Sequence, residues 1–240
     1  MKLGISGYGR MGKLIARLAE ERGHQVVHIC DKPEDGIRPA DAYIDFSLAE
    51  ALHKNLPAFC AQQIPLVIGT TGWQEQRESY QKQFIEHQNR GIWSGNFSLG
   101  VNLFWQVVRQ AGGQFAEFAA EYDAMLHEFH HNKKVDSPSG TALKTAELLL
   151  ETLPHKQHIV TEALQRQIEE DELHVSSTRG GAIPGTHTVL FDSLFDTIEI
   201  KHTARSREGF ALGAVLAAEK IHTLPVGLHE FSERFAALFR

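Results

Sequence analysis

The chain has 240 residues, of which 42% are hydrophobic, and a formal net charge of −6 from 24 basic and 30 acidic residues. This length allows one large domain or two small ones, each with a buried core. The basic residues are scattered, which argues against a nucleic-acid partner, and no apolar run approaches the roughly 20 residues that span a bilayer. Two cysteines in apolar runs and no leader-like segment predict a soluble cytoplasmic protein.

The first hundred residues alternate between strand-like and helix-like segments. A strand at 1–6, a helix at 13–22 and a strand at 24–31 form a βαβ unit. The alternation continues with strands at 41–47, 65–72 and 91–98 and with helices at 48–62 and 73–88. Such alternation is typical of a parallel sheet covered by helices, as in a Rossmann-type fold.

The pattern changes near residue 99. Helices are predicted at 101–114 and 207–224, and short strands at 174–181, 186–192 and 196–203, the last two as a hairpin. Residues 121–130 fit either a helix or a strand. We therefore expect an α/β protein with an N-terminal Rossmann-type parallel sheet and a C-terminal α+β domain with a mixed open sheet. The expected dinucleotide-binding domain spans 1–98, with about 208–240 returning to it, and the substrate-binding and oligomerisation domain spans 99–207.

Residues 7–12 read GYGRMG, a GxGxxG motif between the first strand and the first helix. Glycines at this spacing allow a tight turn and a close approach of the backbone to a pyrophosphate, which the helix N-terminus attracts. A purely structural glycine turn is the alternative. The expected cofactor-binding residues of this loop are Gly7, Tyr8, Gly9, Arg10, Met11 and Gly12.

Two further segments are expected to contact the cofactor. Asp31, at the end of the second strand, can accept hydrogen bonds from the ribose hydroxyls of NAD, whereas the adjacent Lys32 would attract the 2′-phosphate of NADP. The pair leaves the choice between NADH and NADPH open. Gly69, Thr70 and Thr71 end a strand at the edge where open sheets bind ligands and are expected to face the nicotinamide. Alternatively, Thr71 is the N-cap of the next helix.

The densest polar run covers residues 127–141, HEFHHNKKVDSPSGT. Its first five residues match HExxH, in which His127 and His131 would bind zinc, but that motif requires a helix and a zinc protease has no use for a dinucleotide loop. We therefore expect no metal. Ser139, Gly140 and Thr141 instead begin an apolar helix whose free N–H groups suit a carboxylate. Residues 179–187 form a glycine-rich basic loop, either a substrate-closing loop or a plain hairpin connection.

Several of these segments together resemble the 4-hydroxy-tetrahydrodipicolinate reductase family, also called dihydrodipicolinate reductases. The most specific is HHNKKVDSPSGTA at 130–142, which is similar to the family pattern HHxxKxDxPSGTA. Lys133 stands where many members have histidine. Other resembling segments are GYGRMG at 7–12, DFS at 45–47, GTTG at 69–72, SGNFSLGVN at 94–102, RGGAIPGTHTVLF at 179–191 and HTARSREGFALGA at 202–214.

The resemblance implies reduction of 4-hydroxy-tetrahydrodipicolinate to tetrahydrodipicolinate by NADPH or NADH, with loss of water, on the diaminopimelate route to lysine. It implies that His130 is a catalytic proton donor or acceptor and that Lys134 is the second proton donor. A homotetramer built through the C-terminal sheet is also implied. The remaining implied contacts are His131, Ser139, Gly140 and Thr141 to the dicarboxylate substrate, and Ser94, Gly95, Asn96 and Phe97 to the cofactor.

Two other functions compete with this one. A different two-domain dehydrogenase would share the glycine loop but would not need the run at 130–141. A dinucleotide-sensing regulator would need a basic helix that reads a DNA groove, and the sequence contains none that we recognise.

Overall fold

The computed structural model describes residues 1–32 and 35–239 and divides into two compact units. The first unit contains residues 1–99 and 207–240, and the second contains residues 100–206. The middle of the chain therefore forms a unit of its own, while both ends of the chain contribute to the other. No helix in the part of the chain described is long and apolar enough to cross a membrane.

The first unit is an α/β structure with six parallel strands. Its strands are β1 (Lys2–Ser6), β2 (Gln25–Cys30), β3 (Ala42–Asp45), β4 (Leu66–Ile68), β5 (Arg90–Trp93) and β11 (Gly227–Glu230). Its helices are α1 (Arg10–Glu21), α2 (Ala49–Ala61), α3 (Arg77–Glu86), α6 (Glu208–Lys220) and α7 (Phe231–Leu238). The strand order is β11-β5-β4-β3-β1-β2. The direction of winding reverses between β1 and β3, and open sheets bind ligands at the carboxyl ends of the strands at such a point.

The central strands β1 and β3 of this sheet are buried because helices cover both faces. All four residues of β3 are buried, as are the last four of β1. Helix α1 contributes Ile15 and Ala19 to the same core, which α6 and α7 complete with Val215 and Phe231. The C-terminal segment is therefore part of the core that supports the glycine loop.

The second unit combines helices with a mixed five-stranded sheet. Its helices are α4 (Leu99–Phe115) and α5 (Gly140–Thr152). The first residue of α4, Leu99, is the last residue of the first unit's N-terminal segment. Its strands are β6 (Asp123–His130), β7 (His158–Val160), β8 (Glu172–Arg179), β9 (Thr186–Asp192) and β10 (Thr197–Thr203), in the order β10-β9-β6-β8-β7. Strand β9 is antiparallel to β6 and β10, whereas β6, β7 and β8 are parallel.

One face of this sheet packs on the two helices. Along β6 the burial alternates strictly, so that Leu126 and Glu128 point inward while Met125 and Phe129 are exposed. Helix α4 is attached to α5 by a buried hydrogen bond from Trp105 Nε1 to Thr145 Oγ1, at 3.0 Å. The opposite face of the sheet therefore presents apolar side chains to solvent.

The structure decides two alternatives that the sequence left open. Residues 121–130 are a strand over most of their length, not a helix. Thr71 is not a helix N-cap, because a short 3₁₀ turn capped by Trp73 precedes α3. Trp73 donates its indole N–H to Thr70 O at 2.7 Å. This hydrogen bond closes a turn at 70–73, where the sequence left a helix start open as an alternative.

Candidate active site

The glycine loop joins β1 to α1, and its three glycines have different surroundings. Gly7 has a φ of +83°, and a Cβ there would lie 2.6 Å from Phe46 O. A Cβ on Gly12 would lie 2.1 Å from Gly7 O, which shows how closely the helix approaches the turn. A Cβ on Gly9 would meet no atom of the described residues within 4 Å. The space beside Gly9 is therefore open to a ligand.

A cavity of about 490 Å³ lies beside this loop within the first unit. Its lining is Gly9, Arg10, Met11, Phe46, Arg207 and Phe210. Gly9 is also the N-cap of α1, so the free N–H groups of the first helical turn lie next to the cavity. Two arginines and a helix N-terminus suit a ligand with phosphate groups. The sequence predicted Gly9, Arg10 and Met11 as cofactor-binding residues, and Phe46 belongs to the DFS segment that resembles the family, but Arg207 and Phe210 were not predicted as cofactor contacts.

Asp31 lies beside the loop, as its position after β2 predicts. Its Oδ1 accepts a hydrogen bond from Tyr8 N at 2.7 Å, and its side chain is exposed. Asp35 closes the following turn by accepting the N–H groups of Asp31 and Lys32. The structure thus brings Asp31 to the glycine loop and leaves the exposed Lys32 next to it.

Asp45 connects two of the loops at the carboxyl edge of the sheet. It is fully buried at the end of β3, and it accepts hydrogen bonds from Thr70 Oγ1 and, at 3.0 Å, from Ser47 Oγ. Burial raises the pKa of its carboxyl above the ordinary value. Gly69 packs against the ring of Phe46, since a Cβ there would lie 2.2 Å from it. Asp45 therefore fixes the position of Thr70, whereas Thr71 is exposed.

Residues 94–97 form a turn after β5. Ser94 Oγ accepts from Asn96 N at 3.0 Å, and Gly95 between them is exposed. Phe97 is a core residue whose ring centroid lies 4.9 Å from that of Phe231. Any contact of Phe97 with a cofactor would therefore come from its backbone, whereas the other three residues lie at the end of the strand.

In the second unit, the HExxH residues lie on strand β6 and at its end. Successive side chains of a strand point to opposite faces, so His127 and Glu128 cannot act on one ion. His127 is on the outer face, where its Nδ1 lies 2.5 Å from Ser176 Oγ. Glu128 is on the inner, fully buried face. The geometry removes the zinc-protease interpretation.

Glu128 is the centre of a buried polar cluster that the sequence did not predict. In the sheet register, it is paired with Ser177 on β8 and His187 on β9. Its Oε1 accepts from Ser139 N at 2.9 Å, Ser177 Oγ at 2.8 Å and Arg179 Nη2 at 2.7 Å. Burial alone would raise the pKa of this carboxyl, but its contacts with His187, Ser139 and Arg179 hold the pKa well below the ordinary value.

His130 lies on the same face of β6 as Glu128 and is 6% exposed. Its Nδ1 is 3.3 Å from Glu128 Oε2, and its ring centroid is 5.2 Å from that of His187. Burial lowers the pKa of His130 to about 4, although the charge of Glu128 acts in the opposite direction. The imidazole is therefore neutral at pH 7. We call Glu128, His130, Ser139, Ser177, Arg179 and His187 the Glu128 cluster.

Lys134 and His131 lie in the turn that follows β6. Lys134 Nζ is held by both oxygens of Asp136, at 2.8 and 2.9 Å. His131 N donates to Ile183 O at 2.8 Å, so the turn is attached to the glycine-rich loop. This loop is shorter than the sequence predicted, 180–185, and it is not a hairpin connection, because β6 lies between β8 and β9. Beside these residues, Gly140 and Thr141 begin α5, which Ser139 caps by accepting from Ala142 N. One short stretch of chain thus contains the predicted proton donor Lys134, the imidazole of His130 and the anion-binding helix start at 139–141.

Three members of the Glu128 cluster could in principle bind a metal ion. Ligand atoms of Glu128, His130 and His187 lie within 4.8 Å of one another. However, the carboxylate already accepts from Ser139 and forms an ion pair with Arg179. A cation would have to displace these donors and lie near a guanidinium, so we describe the group as a hydrogen-bonded cluster.

Comparison with known protein families identifies the chain. The model of the dihydrodipicolinate reductase N-terminus matches residues 1–97, and that of the C-terminus matches residues 100–233. The chain belongs to the dihydrodipicolinate reductase family. A 4-hydroxy-tetrahydrodipicolinate reductase of Christiangramia forsetii is 36% identical over 100% of both chains, and one of Staphylococcus haemolyticus is 35% identical over 96% of this chain and 99% of that protein.

A solved structure confirms the predicted fold class. It is a dipicolinate-bound dihydrodipicolinate reductase from Paenisporosarcina sp. TG-14, which is 20% identical and covers 97% of this chain and 98% of its own, with a TM-score of 0.78. Its similarity covers both the parallel sheet and the mixed sheet. Family membership also places the chain among oxidoreductases and excludes the alternative of a DNA-binding regulator.

Proposed function

We propose that this chain is a 4-hydroxy-tetrahydrodipicolinate reductase. It reduces 4-hydroxy-tetrahydrodipicolinate to tetrahydrodipicolinate with NADPH or NADH, releases water, and acts in the cytoplasm on the diaminopimelate route to lysine. The observation that carries the proposal is the stretch from His130 to Thr141, in which a neutral imidazole, a lysine and the N-terminus of helix α5 follow one another in a member of this family.

The first unit binds the dinucleotide. Gly9 leaves open space for the pyrophosphate, and Arg10 and Arg207 line the same cavity, where their charges favour phosphate. Asp31 accepts from a ribose hydroxyl, and Lys32 tolerates a 2′-phosphate, so both cofactors are used. When bound, the cofactor supplies the hydride.

The second unit binds the substrate and moves the protons. The N–H groups of Gly140 and Thr141 hold one carboxylate of the ring, and His131 contributes a second contact. Lys134, held by Asp136, donates a proton to the reduced ring, and His130 exchanges the other proton. Residues 180–185, the connection from β8 to β9 that is attached to the turn at His131, cover the substrate.

The test is a coupled assay. Substrate is generated from aspartate semialdehyde and pyruvate, and absorbance at 340 nm is followed with NADPH and, separately, with NADH. Consumption of either cofactor supports the proposal, whereas a well-folded sample that consumes neither contradicts it. Lys134→Ala and His130→Ala should each lower turnover by on the order of 10². Lys133→Ala, the exposed neighbour, is the matched control and should retain turnover close to that of the unmodified protein.

We also propose that the chain assembles as a homotetramer through the exposed face of the mixed sheet. Met125 and Phe129 are 37% and 36% exposed on β6, and Leu194 and Phe195, in the β9–β10 turn, are 96% and 91% exposed. Exposed apolar groups of this kind mark association surfaces. Sedimentation velocity should give a tetramer, and Met125→Lys with Phe129→Lys should give smaller species. A monomer in the unmodified protein would contradict this assembly.

A further inference from the structure

We propose that Glu128, together with Ser139 and His187, fixes His130 in the tautomer that carries its proton on Nδ1 and presents an unprotonated Nε2. The inference rests on the proposed function for the role of His130. It goes further by making His130 the proton acceptor and by assigning Glu128 as the positioning residue. The hydrogen-bond donors and acceptors of the Glu128 cluster determine which nitrogen of His130 carries the proton.

One oxygen of Glu128 is already saturated. Oε1 accepts from Ser139 N, Ser177 Oγ and Arg179 Nη2, at 2.7 to 2.9 Å. These three donors already share the two lone pairs of this oxygen, so it has no capacity left for another donor. Only Oε2 remains for the two histidines.

The hydroxyl of Ser139 then determines the protonation of His187. A hydroxyl has one proton and two lone pairs. Ser139 Oγ donates to Glu128 Oε2, because a carboxylate can only accept, and it accepts from Ala142 N at 3.1 Å. Its remaining contact, His187 Nε2 at 3.1 Å, must therefore donate to its second lone pair. His187 carries its proton on Nε2.

Oε2 accepts from Ser139 Oγ and lies 3.4 Å from His187 Nε2, and on the side of His130 it faces Nδ1 at 3.3 Å. Nδ1 is buried and forms no hydrogen bond with any residue that the structure describes. An unprotonated Nδ1 would place its lone pair against a carboxylate, whereas a protonated one is attracted to it. The Nδ1–H form is therefore favoured.

The other edge of the ring is kept uncovered by a glycine. A Cβ on Gly185 would lie 2.9 Å from His130 Nε2, and Gly185 has a φ of +155°. Any side chain at this position would cover the nitrogen. The neutral Nε2 is thus an acceptor: His130 takes the proton of the ring C–H bond that breaks as hydroxide leaves, and this proton ends in the released water. Lys134 donates the separate proton that the ring takes up when it is reduced.

The charged groups that face His130 determine how the pH dependence of kcat/KM should change in the variants. They come from Glu128 on its own strand, His187 on β9, Arg179 on β8 and Lys134 in the following turn. Of these, Glu128 alone favours the protonated ring. Glu128→Gln should therefore move the His130 limb of the kcat/KM profile to lower pH, as well as loosen the ring.

The deciding experiment is ¹⁵N NMR of the full chain labelled at histidine, at pH 7, with His130 assigned from its loss in His130→Gln. We expect Nδ1 of His130 at the chemical shift of a protonated nitrogen and Nε2 at that of an unprotonated one. The reverse pattern would overturn the proposal. Because this measurement uses neither substrate nor turnover, its failure is distinct from failure of the proposed reductase activity.

Kinetics of Glu128→Gln then test the positioning role. We expect kcat to fall by on the order of tenfold to a hundredfold, KM for the cofactor to stay unchanged, and the two tautomers to mix. The matched control is Lys156→Met, which removes another buried charge of the second unit, paired with Asp123. It should lower stability while the tautomer and the pH profile stay unchanged. An unaltered tautomer and profile in Glu128→Gln would contradict the role, and if that variant does not fold, the NMR result on the unmodified protein still decides.

Discussion

At the scale of single residues, the glycines of the loop at 7–12 show how one residue type meets three different demands. Gly7 adopts a left-handed conformation, and Gly12 allows α1 to contact the turn. Gly9 has space around it that no described residue fills. We propose that for Gly9, unlike Gly7 and Gly12, the requirement for glycine arises from a ligand.

Gly9→Ala therefore separates binding from folding. The melting temperature should stay near that of the unmodified protein, because the new methyl group meets no neighbour. Affinity for NADPH and NADH, measured by fluorescence titration, should fall by about tenfold or more, since the methyl group occupies the space of the pyrophosphate. Gly12→Ala is the contrasting variant and should lower stability as well. Unchanged affinity in a folded Gly9→Ala protein would show that the pyrophosphate binds elsewhere.

The buried His130 makes stability depend on pH. Its pKa is about 4 in the folded protein and about 6.5 when the chain is unfolded, so the unfolded form binds more protons between these values. The free energy of unfolding should therefore be at its full value above about pH 6.5 and should decrease as the pH falls towards 4. Glu128, whose pKa is held below its ordinary value, adds to the loss at the acid end of this range.

Urea denaturation at pH 7 and pH 5 measures this dependence. His130→Gln should show a smaller change in midpoint between the two pH values than the unmodified protein. His158→Gln removes an exposed histidine and should retain the original change. Equal changes in all three proteins would mean that His130 titrates normally in the folded state.

At the scale of elements, strand β6 begins the most specific motif of the sequence, and it is also the segment whose secondary structure the sequence left open. Its apolar residues fit a helical or an extended period, and only the pairing with β8 and β9 settles the choice. The Glu128 cluster depends on that pairing, because register brings Ser177 and His187 to Glu128. No spacing along the chain shows this, although the alternation of Glu128 and His130 in an extended segment is a usable signal.

Most helices and strands of the first unit could be predicted because their apolar periods are regular. The exceptions are short. Strand β11, with the sequence GLHE, contains no β-branched residue that would indicate a strand, and in the second unit strand β7 has only three residues. Helix α7 follows β11 directly, without a side-chain N-cap hydrogen bond. These elements depend on tertiary packing, which a local pattern does not contain.

Ser139 tests the start of α5. It caps the helix and donates to Glu128, so Ser139→Ala removes a cap and leaves a buried carboxylate with one donor fewer. We expect a loss of about 1–3 kcal/mol in the free energy of unfolding. Ser137→Ala, at an exposed serine of the same turn, should change stability little. A loss equal in both variants would mean that the cap contributes nothing specific.

At the scale of the whole molecule, the first unit depends on both ends of the chain. Phe231 is fully buried and lies 4.9 Å, between ring centroids, from Phe97. The sequence placed about 208–240 with the N-terminal residues, and in the structure these segments share one hydrophobic core. The assignment of each reaction step to particular residues is our proposal. Sequence and fold indicate where ligands fit but not how fast they react.

Phe231→Ala should be costly for this reason. Truncating a buried phenylalanine destabilises by about 3–5 kcal/mol. Hydrogen exchange followed by mass spectrometry should show faster exchange in β1 and β5 of the first unit, while β6 and β9 of the second unit keep their protection. Leu48→Ala, at a 74% exposed position, is the control and should leave exchange in both units unchanged. Uniformly faster exchange in Phe231→Ala would mean that the two units unfold together.

The division of the chain into residues 1–99 with 207–240 and residues 100–206 also sets an order for synthesis. As the ribosome adds residues from the N-terminus, the second unit is complete once residue 206 has left the exit tunnel. The first unit must still wait for α6, β11 and α7. Its parallel strands stay partly uncovered during that interval, so the nascent chain carries a finished domain inserted into an unfinished one.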